Sequence, residues 1–94
     1  MAVRVPKRAT LRRGLKVAVT APSAGRVTGK LRRGATVVAA GRATAAAAGE
    51  LKLKLELRRG IRPRTLRGRS LTLRVVWSDD DGASSTATAK LRAR

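Results

Sequence analysis

The stretch Leu51-Lys52-Leu53-Lys54-Leu55-Glu56-Leu57 alternates apolar and charged residues without exception. Side chains on a β-strand point to opposite faces in turn, so the leucines form one apolar row while Lys52, Lys54 and Glu56 face water. A helix would scatter the same leucines around its circumference. The spacing therefore predicts a half-buried strand, and the rest of the chain is read outward from it.

Downstream, Arg58-Arg59-Gly60-Ile61-Arg62-Pro63-Arg64-Thr65-Leu66-Arg67-Gly68-Arg69 carries glycines towards both ends and a proline inside. That composition predicts a loop with one helical turn, from which Ile61 and Leu66 cap the core. A second clean strand follows over residues 70–78, with Leu71, Leu73, Val75 and Trp77 on one face and Thr72, Arg74 and Val76 on the other. The register of Trp77 with these apolar residues predicts a core position rather than a stacking platform for a sugar or a base. Asp79-Asp80-Asp81-Gly82 reads as a hairpin turn. A last alternating run over residues 83–91 sets Ala87, Ala89 and Leu91 opposite Thr86, Thr88 and Lys90.

Upstream, Val3-Arg4-Val5 is a weak strand stopped by Pro6, with an edge continuation over residues 7–10, since edges tolerate proline. Leu15, Val17 and Val19 share a face of the next strand, and Ala21-Pro22-Ser23-Ala24-Gly25 makes a turn. Val27, Gly29 and Leu31 point inward on the strand over residues 26–32, which ends at a hairpin tip, Arg33-Gly34. The return strand, from Thr36 to about Ala43, is alanine- and glycine-rich, and alanine is a poor strand former. Residues 43–48 rank as helical on propensity, yet a segment this short between Gly41 and Gly49 does not hold a helix in water. The end of a strand plus a loop is the reading taken here.

Seven short strands, each with a single apolar face and a turn signal every 8–12 residues or so, predict one all-β domain over residues 1–94, a seven-stranded antiparallel β-sandwich. The 94 residues carry 23 Lys+Arg against 5 Asp+Glu, a formal net charge of +18. Leu, Ile and Val supply 21 of the 94 residues and Phe none, close to the roughly 20% at which a highly charged chain stays disordered. The strict alternation argues for folding, with a modest core.

The chain has no cysteine or histidine, which removes disulfides, a thiolate nucleophile and the commonest metal ligands. No catalytic residue, cofactor site or metal site is expected. Asp79, Asp80 and Asp81 are oxygen ligands of the kind calcium takes, but that ion needs six to eight of them, and Glu50 and Glu56 are the only other acids. A solvated turn is the stronger reading. No helix follows Gly29 or Gly34 to make a phosphate loop. No apolar run approaches the roughly 20 residues that span a bilayer, and the basic start, residues 1–8, lacks the apolar centre of a signal peptide.

The succession Leu11-Arg12-Arg13-Gly14-Leu15-Lys16-Val17-Ala18-Val19-Thr20, then Gly25-Arg26-Val27-Thr28, then Leu71-Thr72-Leu73-Arg74-Val75 before an acidic Gly turn, resembles the Ig-like or fibronectin type III-like repeat modules of secreted and surface proteins from high-GC bacteria. Ile61-Arg62-Pro63-Arg64-Thr65 is similar to the Leu-x-Pro-x-Thr turn of fibronectin type III domains. Two departures stand out: Ala21 and Gly25 occupy the places where many such repeats carry a cysteine pair, and Arg67 stands where the corner tyrosine belongs. The resemblance implies a non-catalytic spacer or interaction module of a larger exported protein, with neighbouring domains or cell-surface polymers as partners.

Arginines concentrate at turns: Arg12, Arg13, Arg32, Arg33, and above all Arg58, Arg59, Arg62, Arg64, Arg67 and Arg69. On a sandwich, several of them fall at one end, where they attract phosphates or sulfates. The last six form the candidate polyanion-binding cluster. Codon usage in a high-GC genome is the bland explanation of the same arginines. The alternative, a small basic nucleic-acid-binding protein, lacks aromatic platforms, since Phe and Tyr are absent and Trp occurs once.

Overall fold

A computed structural model describes residues 2–4, 8–9 and 14–93. Eight strands are present: β1 (Ala2–Arg4), β2 (Arg8–Ala9), β3 (Leu15–Ala21), β4 (Gly25–Arg33), β5 (Thr36–Ala45), β6 (Gly49–Leu57), β7 (Ser70–Ser78) and β8 (Ser84–Ala93). One helical turn, α1 (Pro63–Leu66), lies between β6 and β7. Seven strands pair antiparallel, and the short β2 adds to β8 in parallel. The hydrogen-bonded order is β1-β3-β6-β5-β4-β7-β8-β2, one nearly closed, barrel-like sheet. The all-β expectation holds, and so does its antiparallel pairing.

The leucine row is where the two halves of the sheet meet. Leu53 and Leu55 are fully buried and Leu51 and Leu57 half-buried, while Lys52, Lys54 and Glu56 are exposed. On β3, Leu15, Val17 and Val19 sit directly beside Leu55, Leu53 and Leu51. Across the core, Gly29 of β4 faces the same leucines so closely that a Cβ there would stand 2.6 Å from Leu53 Cδ2. The absence of a side chain is what lets the opposing strand approach. Val27, Leu31, Leu71, Leu73, Val75 and Trp77 complete that wall, each 5% exposed or less.

β5 closes the sheet by a narrow seam. It runs the length of β4 but meets β6 only at Ala39↔Leu57 and Ala40↔Glu56. A bulge between Leu31 and Arg32 makes Leu31 face Ala39 and Arg32 face Val37, leaving Val38 unmatched. Val38 and Ala39 are both buried as a result, which breaks the period of two. The strand continues to Ala45, and residues 46–48 form the loop, in agreement with the strand-plus-loop reading.

Several boundaries differ from expectation by a residue or two. Ala21 is the buried last residue of β3, paired with Gly49, and Gly25 opens β4, so the turn is confined to residues 22–24. β8 runs on to Ala93, because Leu91 and Ala93 extend its buried face. Val5, Pro6, Lys7, Thr10, Arg12 and Arg13 lie outside the described residues.

Candidate polyanion interface

The register sorts the turns into two groups at opposite ends of a body measuring 40 × 21 × 20 Å. Residues 22–24, 46–48 and 79–83 share one end, and residues 34–35 and 58–69 the other. Charge is segregated along that axis. Glu50, Asp79, Asp80 and Asp81 sit at the first end. At the second end stand Arg33 of the hairpin, Arg58, Arg59, Arg62, Arg64, Arg67 and Arg69 of the β6–β7 connection, and Arg92 of β8, all exposed.

The connection carrying the six candidate arginines is anchored rather than loose. Pro63 opens α1, where its fixed φ suits a first helical position and its missing N–H costs no bond. Thr65 Oγ1 donates to the Arg62 carbonyl at 2.7 Å. The turn drives Leu66 into the end of the core, where it is 1% exposed, with Ile61 half-buried beside it. Gly68 N–H then donates to the Ala93 carbonyl at 2.8 Å and Ala93 N–H to the Arg69 carbonyl at 3.1 Å, tying the connection to β8. The apolar residues of the segment thus face inward and the arginines are left in water. Arg67, in the place of a corner tyrosine, is exposed.

Six of these arginines were legible as a loop cluster. Arg33 was legible as part of a hairpin tip, and register adds Arg92: Arg92 pairs with Ser70 and Arg33 with Thr36, which brings both to the same end as the connection. No local pattern in the sequence marks Arg92, because its neighbourhood depends on the pairing of β7 with β8.

The nearest acid to this end, Glu56, lies 4.0 Å from Lys54, and both side chains are exposed. That is the one ion pair among the described residues, and exposed pairs of this type contribute little. The arginine cluster therefore has no carboxylate partner. Guanidinium groups present planar forks of donors that match phosphate and sulfate oxygens, and an acid-free array of them releases counterions from any dense polyanion.

The other candidate features resolve into structural roles. Asp79 Oδ1 accepts from the N–H groups of Asp81 and Ala83, at 3.0 and 2.8 Å, which closes the β7–β8 turn. No group of three acids able to hold a metal ion forms among the described residues. Trp77 lies in the core, and its Nε1 donates to the Ser23 carbonyl at 3.1 Å, so it presents no stacking surface. No described helix is long and apolar enough to cross a membrane.

So concentrated a charge opposes its own folded state. Lys30 stands directly opposite Arg74, and Lys16 opposite Lys54, in cross-strand pairs where like charges destabilise. The Debye length falls from about 30 Å at 0.01 M salt to about 10 Å at 0.1 M, a change that screens repulsion between distant arginines. The melting temperature is expected to rise over that range. Relief of about 1 kcal/mol corresponds to about 4–8 °C in a domain of this size. A melting temperature that falls with salt would show that self-repulsion is not limiting stability.

Comparison with known proteins finds no matching family model, no similar curated protein and no similar solved structure.

Proposed function

We propose that this chain is a non-catalytic structural or interaction module of an exported, surface-facing protein, with an Ig-like or fibronectin type III-like β-sandwich arrangement, that associates with polyanions without reading sequence. The observation that carries the binding half of this reading is the group of eight exposed arginines at one end, none of them paired with a carboxylate among the described residues. The modular half is supported by strand order. Split at its narrow β5–β6 seam, the sheet separates into β1-β3-β6 and β5-β4-β7-β8-β2, the distribution of strands found in Ig-like sandwiches. The absence of His and Cys supports the non-catalytic part.

The test is a competition titration among DNA, RNA and heparin of similar charge density. Counterion release makes all three bind, with affinity falling steeply against log salt. For a surface module the three affinities agree within about tenfold at roughly 0.15 M salt, whereas a dedicated nucleic-acid binder keeps a far larger margin for its own polymer. A preference well over tenfold for DNA or RNA, lost on replacing Arg62, Arg64, Arg67 and Arg69, overturns the reading in favour of a nucleic-acid-binding protein.

A further inference from the structure

The outer face of the sheet formed by β5, β4, β7 and β8 carries cations in every cross-strand row and no acid at all. Register aligns Arg26 with Ser78 and Ser84, then Arg42 with Thr28 and Thr86, then Lys30 with Arg74 and Thr88, then Arg32 with Thr72 and Lys90. Successive rows are two residues apart, about 6.7 Å, so the four rows extend about 20 Å along the strands. The outer face of β3 and β6, by contrast, mixes Lys16, Lys52 and Lys54 with Glu50 and Glu56.

The second, third and fourth rows line a groove of about 210 Å³ formed by Thr28, Lys30, Arg32, Arg74 and Val76. Two features of this groove are unfavourable without an anion. Lys30 and Arg74 are like charges held directly opposite each other. Arg32, half-buried in the sheet, has its Nε shielded from water with no hydrogen-bond acceptor, a donor that is costly to leave unsatisfied. A tetrahedral oxyanion seated in the groove offsets the repulsion between Lys30 and Arg74, and it pairs with Arg32 once that side chain turns its shielded Nε towards the groove.

We propose that this face is a second anion-binding surface, a track for a linear polysaccharide bearing sulfate or phosphate esters, with its tightest subsite in the Lys30, Arg32 and Arg74 groove. The proposal rests on the reading of the chain as a polyanion-associating module but assigns the contact to a different surface from the arginine-rich end. Charge complementarity selects an acidic polymer, and the row spacing suits one that lies extended along the strands. Threonines between the cations, Thr28, Thr72, Thr86 and Thr88, offer hydroxyls to sugar hydroxyls. The face has no aromatic side chain on which a base could stack, since the one aromatic is Trp77 in the core.

The experiment titrates the full chain at roughly 0.15 M salt with a heparin octasaccharide, a phosphorylated linear oligosaccharide and a single-stranded DNA oligonucleotide of matched charge, followed by backbone amide chemical shifts and by affinity. At least one oligosaccharide is expected to bind no more weakly than the oligonucleotide and to shift the amides of Thr28, Lys30 and Arg74; which of the two does so identifies the ester. The variant Lys30→Gln/Arg32→Gln/Arg74→Gln is expected to lose at least about tenfold in affinity, the worth of one charge-assisted hydrogen bond. The variant Arg62→Gln/Arg64→Gln/Arg67→Gln is expected to lose less. If the shifts and the larger loss fall on the 58–69 connection, the track is wrong while the polyanion-binding module stands. If no probe binds, both fail, and an oligonucleotide winning by well over tenfold rejects the polysaccharide. The amide shifts of the unaltered chain decide the matter even if the face variant does not fold.

Discussion

Truncating Trp77 to alanine is expected to remove about 3–5 kcal/mol of stability, the range for a buried large aromatic. The ring is 5% exposed on β7, between Val27 of β4 and Ser85 of β8, and it closes the core at the acidic end of the barrel. Its indole N–H holds the loop over residues 22–24 through the Ser23 carbonyl, and Gly25 lies so close that a Cβ would come within 2.6 Å of Nε1. Deletion leaves a cavity and a loop without its anchor. Total stabilities of small domains are about 5–15 kcal/mol, so the variant should be largely unfolded or melt more than 10 °C lower, at about 4–8 °C per kcal/mol. Trp77→Phe keeps most of the packing and loses the hydrogen bond, for about 1 kcal/mol. As the chain has one Trp and no Tyr, intrinsic fluorescence reports this site alone. Emission should be blue-shifted in the folded protein and move to the red on denaturation; a red maximum in native buffer would contradict the burial.

The second large effect is expected from the smallest substitution. Gly41→Ala places a Cβ 2.0 Å from the Lys54 carbonyl oxygen and 3.2 Å from Leu55 Cα. Both obstacles are backbone, so relief requires β5 and β6 to separate next to the two residue pairs that join them. A loss of about 3 kcal/mol or more is expected, at or above the top of the usual range for overpacking. Gly29→Ala is the informative comparison. Its nearest obstacles are the Cδ2 atoms of Leu53 and Leu55, at 2.6 and 2.9 Å, and methyl groups can turn aside. That variant should lose about 1–2 kcal/mol. Urea melts of the two variants rank them directly, and a Gly41→Ala protein within 1 kcal/mol of its parent would mean that the β5–β6 seam is not rigid.

The strands that were plain in the sequence are those with a side chain at every inward position. On β3, β6 and β7, leucine, valine and tryptophan recur at every second residue, and all of those residues but Leu51 and Leu57 are buried. β5 was the hardest to read for two physical reasons. Alanine and glycine supply little apolar signal, and the bulge turns Val38 and Ala39 to the same side, which breaks the alternation partway along the strand. Gly41 gave no hint of its importance either, since what excludes a methyl group there is a carbonyl from a different strand. The loop arginines from Arg58 to Arg69 were visible because glycine and proline mark their segment as a connection, whereas Arg92 lies just past the last alternating run, over residues 83–91, and nothing marks it until Ser70 is found beside it.

Alternation is a local property, and on the regular strands β3, β6 and β7 it was enough to determine which residues face the core and which face water: successive residues of an unbulged extended chain must point opposite ways whatever the strand pairs with. Composition likewise determined the excess of positive charge. Which strands become neighbours, and in what register, is decided by long-range packing, because a slip of two residues keeps every side chain on its face and leaves the pattern unchanged. Only the tertiary structure therefore sets Lys30 against Arg74, gathers the arginines at one end and the aspartates at the other, and closes β5 onto β6 through a glycine.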